Sequence, residues 1–277
     1  MNPDKRKHDI HYEAVRTELE AFLPSVGQQV LALRQKAETD PDFARLKADR
    51  TIVTKADELA ETLIRAWITE RFPEDSIRGE EQEQKVGGAR VWIIDPIDGT
   101  YNFSHTADKF GISVGLVEQN DPMLGVIFYP AEDVILSSAR DSTPLLNGIP
   151  MSVSAGKQDI TQAMILASLH PTHNADPRFA VSGKQLNNLL NSMHHGNLGW
   201  SFTFDFLHFL QSDADAISHP GPTPYDIGAM CSIAKELHLT ISDYDGKSLD
   251  FSKDIMPILI SKNHTLHRAI IKKLNQK

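Results

Sequence analysis

The sequence has little of what marks a secreted, membrane-spanning or disulfide-bonded protein. Its 277 residues include one cysteine, Cys231, so no disulfide can form within the chain. No run approaches the roughly 18 consecutive apolar residues of a membrane-spanning helix, and no apolar leader segment follows the basic residues near the N-terminus. We therefore expect a cytoplasmic protein with no membrane partner.

The chain is also poor in basic residues. Its net charge is −9 at pH 7, from 37 acidic and 28 basic side chains. This charge argues against a nucleic-acid partner, because nucleic acids are bound through clustered Lys and Arg. The Gly-x-x-x-x-Gly-Lys-Ser/Thr loop that cradles nucleotide phosphates is absent as well. With 40% hydrophobic residues, the chain is long enough to bury a full core as one large domain or two subdomains.

What is present is a change of pattern near residue 90. Before it, apolar residues at helical spacing predict helices over 11–36 and 54–72, and Pro24 is expected to kink or interrupt the first. After it, β-rich segments predict consecutive antiparallel strands, followed by strands that alternate with helices. The predicted strands are 110–118, 122–130, 133–139, 163–169, 213–219 and 255–261, and the later helices are 224–237 and 264–274.

This order of elements predicts the fold class. Helices followed by strands, and then alternating strands and helices, favour an α+β protein built as a layered α-β-α-β sandwich. We expect an N-terminal α+β half over residues 1–155 and a C-terminal α/β half over residues 156–277.

The stretch VWIIDPIDGTYNF, residues 91–103, carries two carboxylates where a buried strand is expected to end. Pro96 stiffens the segment and Gly99 permits a turn, so Asp95 and Asp98 can point to one side. The free N–H groups near Thr100 would form an anion site. Carboxylates repel a phosphate unless divalent cations lie between them. Hard oxygen ligands suit Mg²⁺, and two such ions can activate a water.

Three further acidic places stand out along the chain. Glu80 begins a charged run in GEEQEQ, Asp57 lies early in the second helix, and Asp226 comes at the start of a later one. Each has an ordinary explanation: a solvated charge run, a carboxylate facing the helix dipole, and an N-cap. The Asp-x-x-Asp-Gly-Thr turn is also common by itself. Only the order and spacing of all four are specific.

That order resembles the inositol monophosphatase family of magnesium-dependent, lithium-sensitive phosphomonoesterases, which share their fold with fructose-1,6-bisphosphatases. The stretch WIIDPIDGT, followed by Asn102 and Phe103, resembles the first family signature, GEE precedes it by about fifteen residues, and VTKAD comes earlier still. The segment YDIGA, residues 225–229, resembles a degraded second signature, in which Trp-Asp-x-Ala-Ala is usual. The resemblance covers roughly residues 51–262.

The resemblance implies a role for each matching residue, with two or three Mg²⁺ ions. Glu80, Asp95 and the carbonyl of Ile97 would hold the first ion. Asp95, Asp98 and Asp226 would hold the second, and a third would lean on Glu80. Asp57 and Thr100 would orient and help to deprotonate the attacking water, and Glu80 is included in this catalytic set. The amides of Gly99 and Thr100 would hold the phosphate.

The departures from the family pattern concern the alcohol side of the substrate. Inositol-specific members carry a glutamate seven residues before the position of Asp226, and here that residue is His219. Inositol phosphate is the default substrate that the family implies. Because the glutamate that accepts hydrogen bonds from the sugar hydroxyls is missing here, we expect a different substrate. The pocket for the alcohol is expected around Ser168, Trp200, Ser201 and His219, with Asp226 at its edge.

Several alternatives stay open at this point. Histidinol phosphate, fructose 1,6-bisphosphate and 3′-phosphoadenosine nucleotides compete as substrates on the same fold. A non-catalytic module that binds a phosphate ligand is the alternative of a different class, although such a protein would be expected to have lost part of the catalytic set. The resemblance also implies a homodimer, and the expected partner is a small-molecule phosphate monoester.

Overall fold

The computed structural model describes residues 11–37, 39–48, 51–105, 107–167, 180–190, 196–198 and 201–276. These ranges contain seven helices and fourteen strands. The helices are α1 Tyr12–Arg34, α2 Lys55–Arg71, α3 Thr100–Ser104, α4 Ala180–Leu190, α5 Phe202–Gln211, α6 Pro224–Glu236 and α7 His264–Leu274. The strands are β1 Ala44–Leu46, β2 Ile52–Thr54, β3 Ser76–Gly79, β4 Arg90–Asp98, β5 Gly111–Glu118, β6 Asp121–Tyr129, β7 Val134–Ala139, β8 Leu145–Leu146, β9 Ile149–Pro150, β10 Ile165–Ala167, β11 Gly196–Leu198, β12 Ala216–His219, β13 Thr240–Ser242 and β14 Ile258–Ser261.

The strands form two main sheets and one hairpin. The larger sheet has the order β3-β4-β5-β6-β7-β8-β9, and only its β3–β4 pair is parallel. The smaller sheet has the order β11-β10-β12-β14-β13, in which β10 runs parallel to both of its neighbours. Strands β1 and β2 pair antiparallel as a separate hairpin.

Helices cover both faces of these sheets. On β4, Trp92 and Ile94 pack with the apolar residues of α1 and α2, whereas Ile93 points to the opposite face and packs with α6. Helices α5 and α6 share one core with both sheets, and α4 and α7 cover the far face of the smaller sheet. The predicted layered sandwich is confirmed, with an outer helical layer behind the smaller sheet.

Two glycines allow α6 to lie directly on the larger sheet. Gly115 and Gly125 are paired in the β5–β6 ladder, and a Cβ at either position would collide with the backbone of Ala229. Because neither residue has a side chain, the helix axis comes close to the strands. This close approach places the N-terminal end of α6 beside the C-terminal part of β4.

The structure corrects two local predictions. Helix α1 runs without interruption through Pro24, because buried residues on both sides of it, including Leu19 and Val30, pack the helix against its neighbours. Strand β4 extends through Asp98, with an irregular register between Asp95 and Asp98. The two aspartates therefore lie at a bulge within the strand and not in a turn that follows it.

The other predicted elements are present with ends within three residues of those expected, except that only Ile165–Ala167 of the strand predicted over 163–169 is described as strand. Sequence patterns missed α4, α5, the β1–β2 hairpin and several short strands. The larger sheet ends at Pro150 and the smaller begins at Ile165, and the division of the chain at residue 155 stays a prediction. Among the described helices, none combines the length and apolar character needed to cross a bilayer.

Candidate active site

Three carboxylates converge between β4 and α6. Asp95, Asp98 and Asp226 each offer an oxygen, and these oxygens all lie within 4.8 Å of one another. Asp95 and Asp98 flank the bulge of β4, and Asp226 is the third residue of α6. The first two are buried and Asp226 is partly exposed. The bulge and the close packing of α6 thus bring together residues more than 120 positions apart.

Neighbouring groups fix the orientation of each carboxylate. Asp98 accepts hydrogen bonds from the backbone N–H of Thr203, at 2.6 Å, and of Phe202, at 3.3 Å, which are the first residues of α5. Asp226 accepts from the hydroxyl of Thr223 at 2.7 Å. Asp95 Oδ1 accepts from the N–H of Ile97 at 3.1 Å. Each carboxylate is therefore held in one orientation while keeping further acceptor sites.

The electrostatics of this cluster call for a cation. Burial, together with repulsion from Asp98 and Glu80, raises the pKa of Asp226 to about 8. Burial and the charge of Glu80 also raise the pKa of Asp95 well above its usual range. Like charges so close together stay ionised only with a positive partner among them. An all-carboxylate oxygen set with this spacing fits Mg²⁺.

Glu80 lies at the edge of this cluster and has its own positive partner. Strands β3 and β4 are parallel and Gly79 pairs with Ile94, so the next residue, Glu80, lies alongside Asp95. Its carboxylate accepts a hydrogen bond from Lys47 Nζ at 2.9 Å, and Glu81 also binds Lys47. Glu80 is outside the three-carboxylate group found in the described part of the chain, but its charge acts on that group.

Asp57 and the partly exposed Thr100 form a pair beside the cluster. Thr100 Oγ1 lies 3.2 Å from Asp57 Oδ1 and 2.9 Å from the carbonyl oxygen of Ile97. Asp57 is fully buried, and this burial raises its pKa to about 7. Because the hydroxyl of Thr100 has one proton, it can donate to Asp57 or to Ile97, and a protonated Asp57 can donate to Thr100 in return. The pair can therefore hold and exchange a proton near neutral pH.

Gly99 links β4 to the short helix α3. Its φ is +95°, and a Cβ there would lie 2.9 Å from the carbonyl oxygen of Lys109 and 3.0 Å from Cβ of Ser201. Both the conformation and the space require glycine. Ser201 is the N-cap of α5, where its hydroxyl accepts from the N–H of Phe204 and its side chain also hydrogen-bonds Asp98. The predicted residues Gly99 and Ser201 are thus in contact beside the carboxylates.

Of the other residues predicted for the alcohol pocket, the structure describes His219. His219 is the last residue of β12 and is fully buried, with its ring centroid 4.4 Å from that of Phe202. Through Phe202, whose N–H reaches Asp98, the imidazole is connected to the carboxylate cluster. Ser168 and Trp200 lie outside the described residues.

Sequence reasoning missed several residues that surround the site. Thr223 could have been found, because it precedes Asp226 by the same spacing that identifies Thr54 and Asp57 as a capping box. Lys47 and Thr203 carry no comparable local signal. Both reach the site from segments whose fold was not predicted, the hairpin and α5.

Comparisons with known proteins agree with this geometry. The model of the inositol monophosphatase family matches residues 15–277. A histidinol-phosphatase of Chlorobaculum parvum is 30% identical over 226 residues, which cover 81% of this chain and 84% of the relative. Human inositol monophosphatase 2 is 31% identical over 208 residues, covering 72% of this chain and 70% of the relative.

A solved structure shares the fold. The structure of an IMPase/NADP phosphatase complexed with Mg²⁺ and phosphate aligns with a TM-score of 0.81 at 21% sequence identity, covering 97% of each chain. At this identity the likeness concerns the arrangement of helices and sheets.

Proposed function

The chain belongs to the inositol monophosphatase family and is a phosphoric monoester hydrolase, and on this premise we propose that it hydrolyses a small phosphate monoester with Mg²⁺ as its cofactor. The observation that carries the proposal is the convergence of Asp95, Asp98 and Asp226, whose oxygens lie within 4.8 Å of one another. Mg²⁺ and phosphate bind a protein of the same fold, which supports the choice of ion and substrate class.

In this proposal the carboxylates hold two ions, with Glu80 able to contribute to a third. Asp95, Asp98 and Asp226 would share one ion, and Asp95, Glu80 and the carbonyl of Ile97 the other. Bound there, Mg²⁺ supplies positive charge that offsets the charge developing on the phosphate and makes a nearby water more acidic. Lys47, which pairs with Glu80 at 2.9 Å, offsets part of the negative charge from the other side.

We assign the proton of the attacking water to the pair formed by Thr100 and Asp57. Thr100 Oγ1 would accept from the water while its own proton passes to Asp57 Oδ1, 3.2 Å away. Burial raises the pKa of Asp57 above that of an ordinary carboxyl, which favours its taking up this proton. The N–H groups at Gly99 and Thr100, at the start of α3, would hold the phosphate oxygens.

The alcohol half of the substrate would lie against Ser201 and His219. His219 stands where a hydroxyl-binding glutamate is expected for inositol, and its imidazole packs on an aromatic ring. This setting favours an alcohol other than inositol. Relatives include a histidinol-phosphatase, an inositol monophosphatase and a Thermotoga maritima fructose-1,6-bisphosphatase/inositol-1-monophosphatase, so the candidates are histidinol phosphate, inositol phosphate and sugar bisphosphates. A homodimer and inhibition by Li⁺ follow from the family as further expectations.

A panel of phosphate monoesters tests the proposal. Purified protein would be assayed for phosphate release from histidinol phosphate, inositol 1-phosphate, fructose 1,6-bisphosphate and a 3′-phosphoadenosine nucleotide. Each assay would be run with Mg²⁺, with EDTA, and with Mg²⁺ plus Li⁺. We expect release that requires Mg²⁺ and falls with Li⁺. The proposed function would be refuted if none of the esters gave Mg²⁺-dependent phosphate release. A clear preference for inositol 1-phosphate would refute the interpretation that His219 favours an alcohol other than inositol.

A further inference from the structure

A buried carboxylate that the proposed chemistry does not use lies directly beneath the segment that carries Glu80. Glu61, in the second turn of α2, has no solvent exposure. Its Oε2 accepts from the backbone N–H of Glu81 at 2.7 Å, and its Oε1 accepts from the N–H of Gln82 at 3.1 Å. A single side chain thus holds two successive amides of this segment.

The residue before Glu80 is also shaped by Glu61. A Cβ at Gly79 would lie 2.9 Å from Glu61 Oε2 and closer still to Oε1. The backbone of Gly79 therefore rests on the carboxylate, and no other residue type fits there without displacing it. Because Glu80 lies between Gly79 and Glu81, its backbone is held on both sides by the same buried group.

Arg65 completes this arrangement from one turn further along α2. Its Nε donates to Glu61 Oε1 at 2.6 Å, and its Nη2 donates to the carbonyl oxygen of Gln82 at 3.1 Å. Burying a carboxylate is costly unless its oxygens are hydrogen-bonded or ion-paired. Arg65 and two backbone amides pair both oxygens of Glu61, so this carboxylate is a rigid support for the segment.

We propose that Glu61 is a positioning residue that sets the backbone of Glu80 so that its carboxylate is directed toward a divalent ion. The inference rests on the proposed function, because Glu80 is a metal ligand only in that proposal. Groups that orient metal ligands typically change metal affinity by about 10–100-fold when they are removed. Glu61 is expected to act on ion affinity and not on the chemical step, since it touches neither substrate nor ion.

The test compares Glu61→Gln with Glu58→Gln in the full-length protein. The amide of Gln is isosteric, but it cannot accept from Arg65 and two N–H groups at once. Glu58 is a matched control, since it lies on the same helix and has an exposed ion pair with Arg45. Mg²⁺ affinity would be measured by titration calorimetry, together with the Mg²⁺ concentration for half-maximal phosphate release and the melting temperature in EDTA.

For Glu61→Gln we expect Mg²⁺ binding weakened by about tenfold or more, with kcat at saturating Mg²⁺ within about threefold of wild type. Glu58→Gln should change neither quantity. Unchanged Mg²⁺ affinity in a folded Glu61→Gln protein would overturn the inference, and so would a loss of kcat that saturating Mg²⁺ does not restore.

A second variant covers the case in which Glu61→Gln does not fold. Arg65→Gln removes the guanidinium that pairs with Glu61 and with the carbonyl of Gln82. Because Arg65 is partly exposed, we expect this variant to fold and to weaken Mg²⁺ binding less than Glu61→Gln does. Unchanged Mg²⁺ affinity in Arg65→Gln would overturn the inference.

The proposed function and the role of Glu61 would fail in different ways. Wild-type protein that binds Mg²⁺ but hydrolyses no ester refutes the proposed function and leaves the calorimetric comparison intact, whereas an active wild type with unaltered variants refutes only the role of Glu61.

Discussion

Asp57 and Asp226 occupy equivalent positions in two different helices. Each is the third residue of its helix, and each accepts hydrogen bonds from the backbone N–H and the hydroxyl of the threonine three residues earlier, Thr54 and Thr223. One oxygen of each carboxylate therefore caps its helix. The other oxygen of Asp57 faces Thr100, and Asp226 contributes an oxygen to the carboxylate cluster. Helix capping thus aims both groups at the site.

This dual role can be separated by comparing Asp57→Asn with Thr54→Ala. The Asn side chain can still accept from the N–H of Thr54 but cannot take up a proton, so we expect kcat to fall by about 10²–10⁴-fold. Thr54→Ala removes the cap hydroxyl and should cost about 1 kcal/mol of unfolding free energy with a far smaller effect on kcat. Steady-state kinetics and denaturant unfolding measure the two effects. Equal losses of kcat in both variants would show that Asp57 acts only as a cap.

Asp95→Asn tests the carboxylate cluster directly. Asp95 is the carboxylate shared by the two proposed ion sites, so Mg²⁺-dependent phosphate release should be abolished in this variant. The fold should remain, because the change removes a repelling charge from a buried group. We expect the melting temperature in EDTA to match or exceed that of wild type, and the increase that Mg²⁺ gives wild type to be lost. Activity near wild type would refute the metal assignment.

The pH dependence of stability has a definite sign in protein stripped of divalent ions. The folded-state pKa of Asp226 is about 8, well above its value in the unfolded chain. The folded state therefore binds the extra proton, and the associated stability is complete at low pH and is lost as the pH rises toward and through 8. Asp226→Asn has no carboxyl at this position, so its stability lacks this pH-dependent contribution.

We therefore expect the melting temperature of Asp226→Asn, relative to wild type in EDTA, to rise as the pH increases from 5 to 9. Thermal unfolding at several pH values measures this difference. A constant difference across the range would mean that Asp226 has an ordinary pKa in the folded protein. Added Mg²⁺ should reverse the order of the two proteins, because only wild type retains all three ligands.

The parts of this site that could be predicted from sequence are those with a local signal. Asp95 and Asp98 lie three residues apart beside Gly99, and the spacing of Thr54 and Asp57 is that of a capping box. Lys47 and Thr203 could not be predicted, because their contacts depend on how the hairpin and α5 pack against distant strands. Helix α5 was missed because its run of phenylalanines is equally typical of a strand. The interruption predicted at Pro24 was wrong for a related reason. The packing of buried residues on both sides of Pro24 outweighs the one backbone hydrogen bond that proline removes from the helix.

The position of Asp226 depends on how closely α6 packs against β6, and Gly125 on β6 permits this close packing. In Gly125→Ala the new methyl group would meet the backbone of Ala229, which cannot move aside as a flexible side chain could. We expect the free energy of unfolding to fall by about 1–3 kcal/mol, with weaker Mg²⁺ binding because α6 carries Asp226. Denaturant unfolding and calorimetry measure the two losses. Gly148→Ala is the control, since a Cβ there has open space although its φ of +74° adds strain. Weaker ion binding in the control as well would contradict the link.

His219 is the residue on which the choice of alcohol is expected to depend. His219→Gln keeps a polar side chain but removes the ring that packs on Phe202. We expect KM for the preferred ester of the panel to rise by about tenfold, which is the effect of losing one good contact of about 1.4 kcal/mol. Hydrolysis of p-nitrophenyl phosphate should stay within about threefold, because the carboxylates and the pair of Asp57 and Thr100 are untouched. His267→Gln is the matched control, since that histidine is also buried but bonds Ser242 and Ser261. If hydrolysis of both esters were impaired equally, His219 would have only a structural role. A rise in KM confined to the preferred ester would assign His219 to the alcohol pocket.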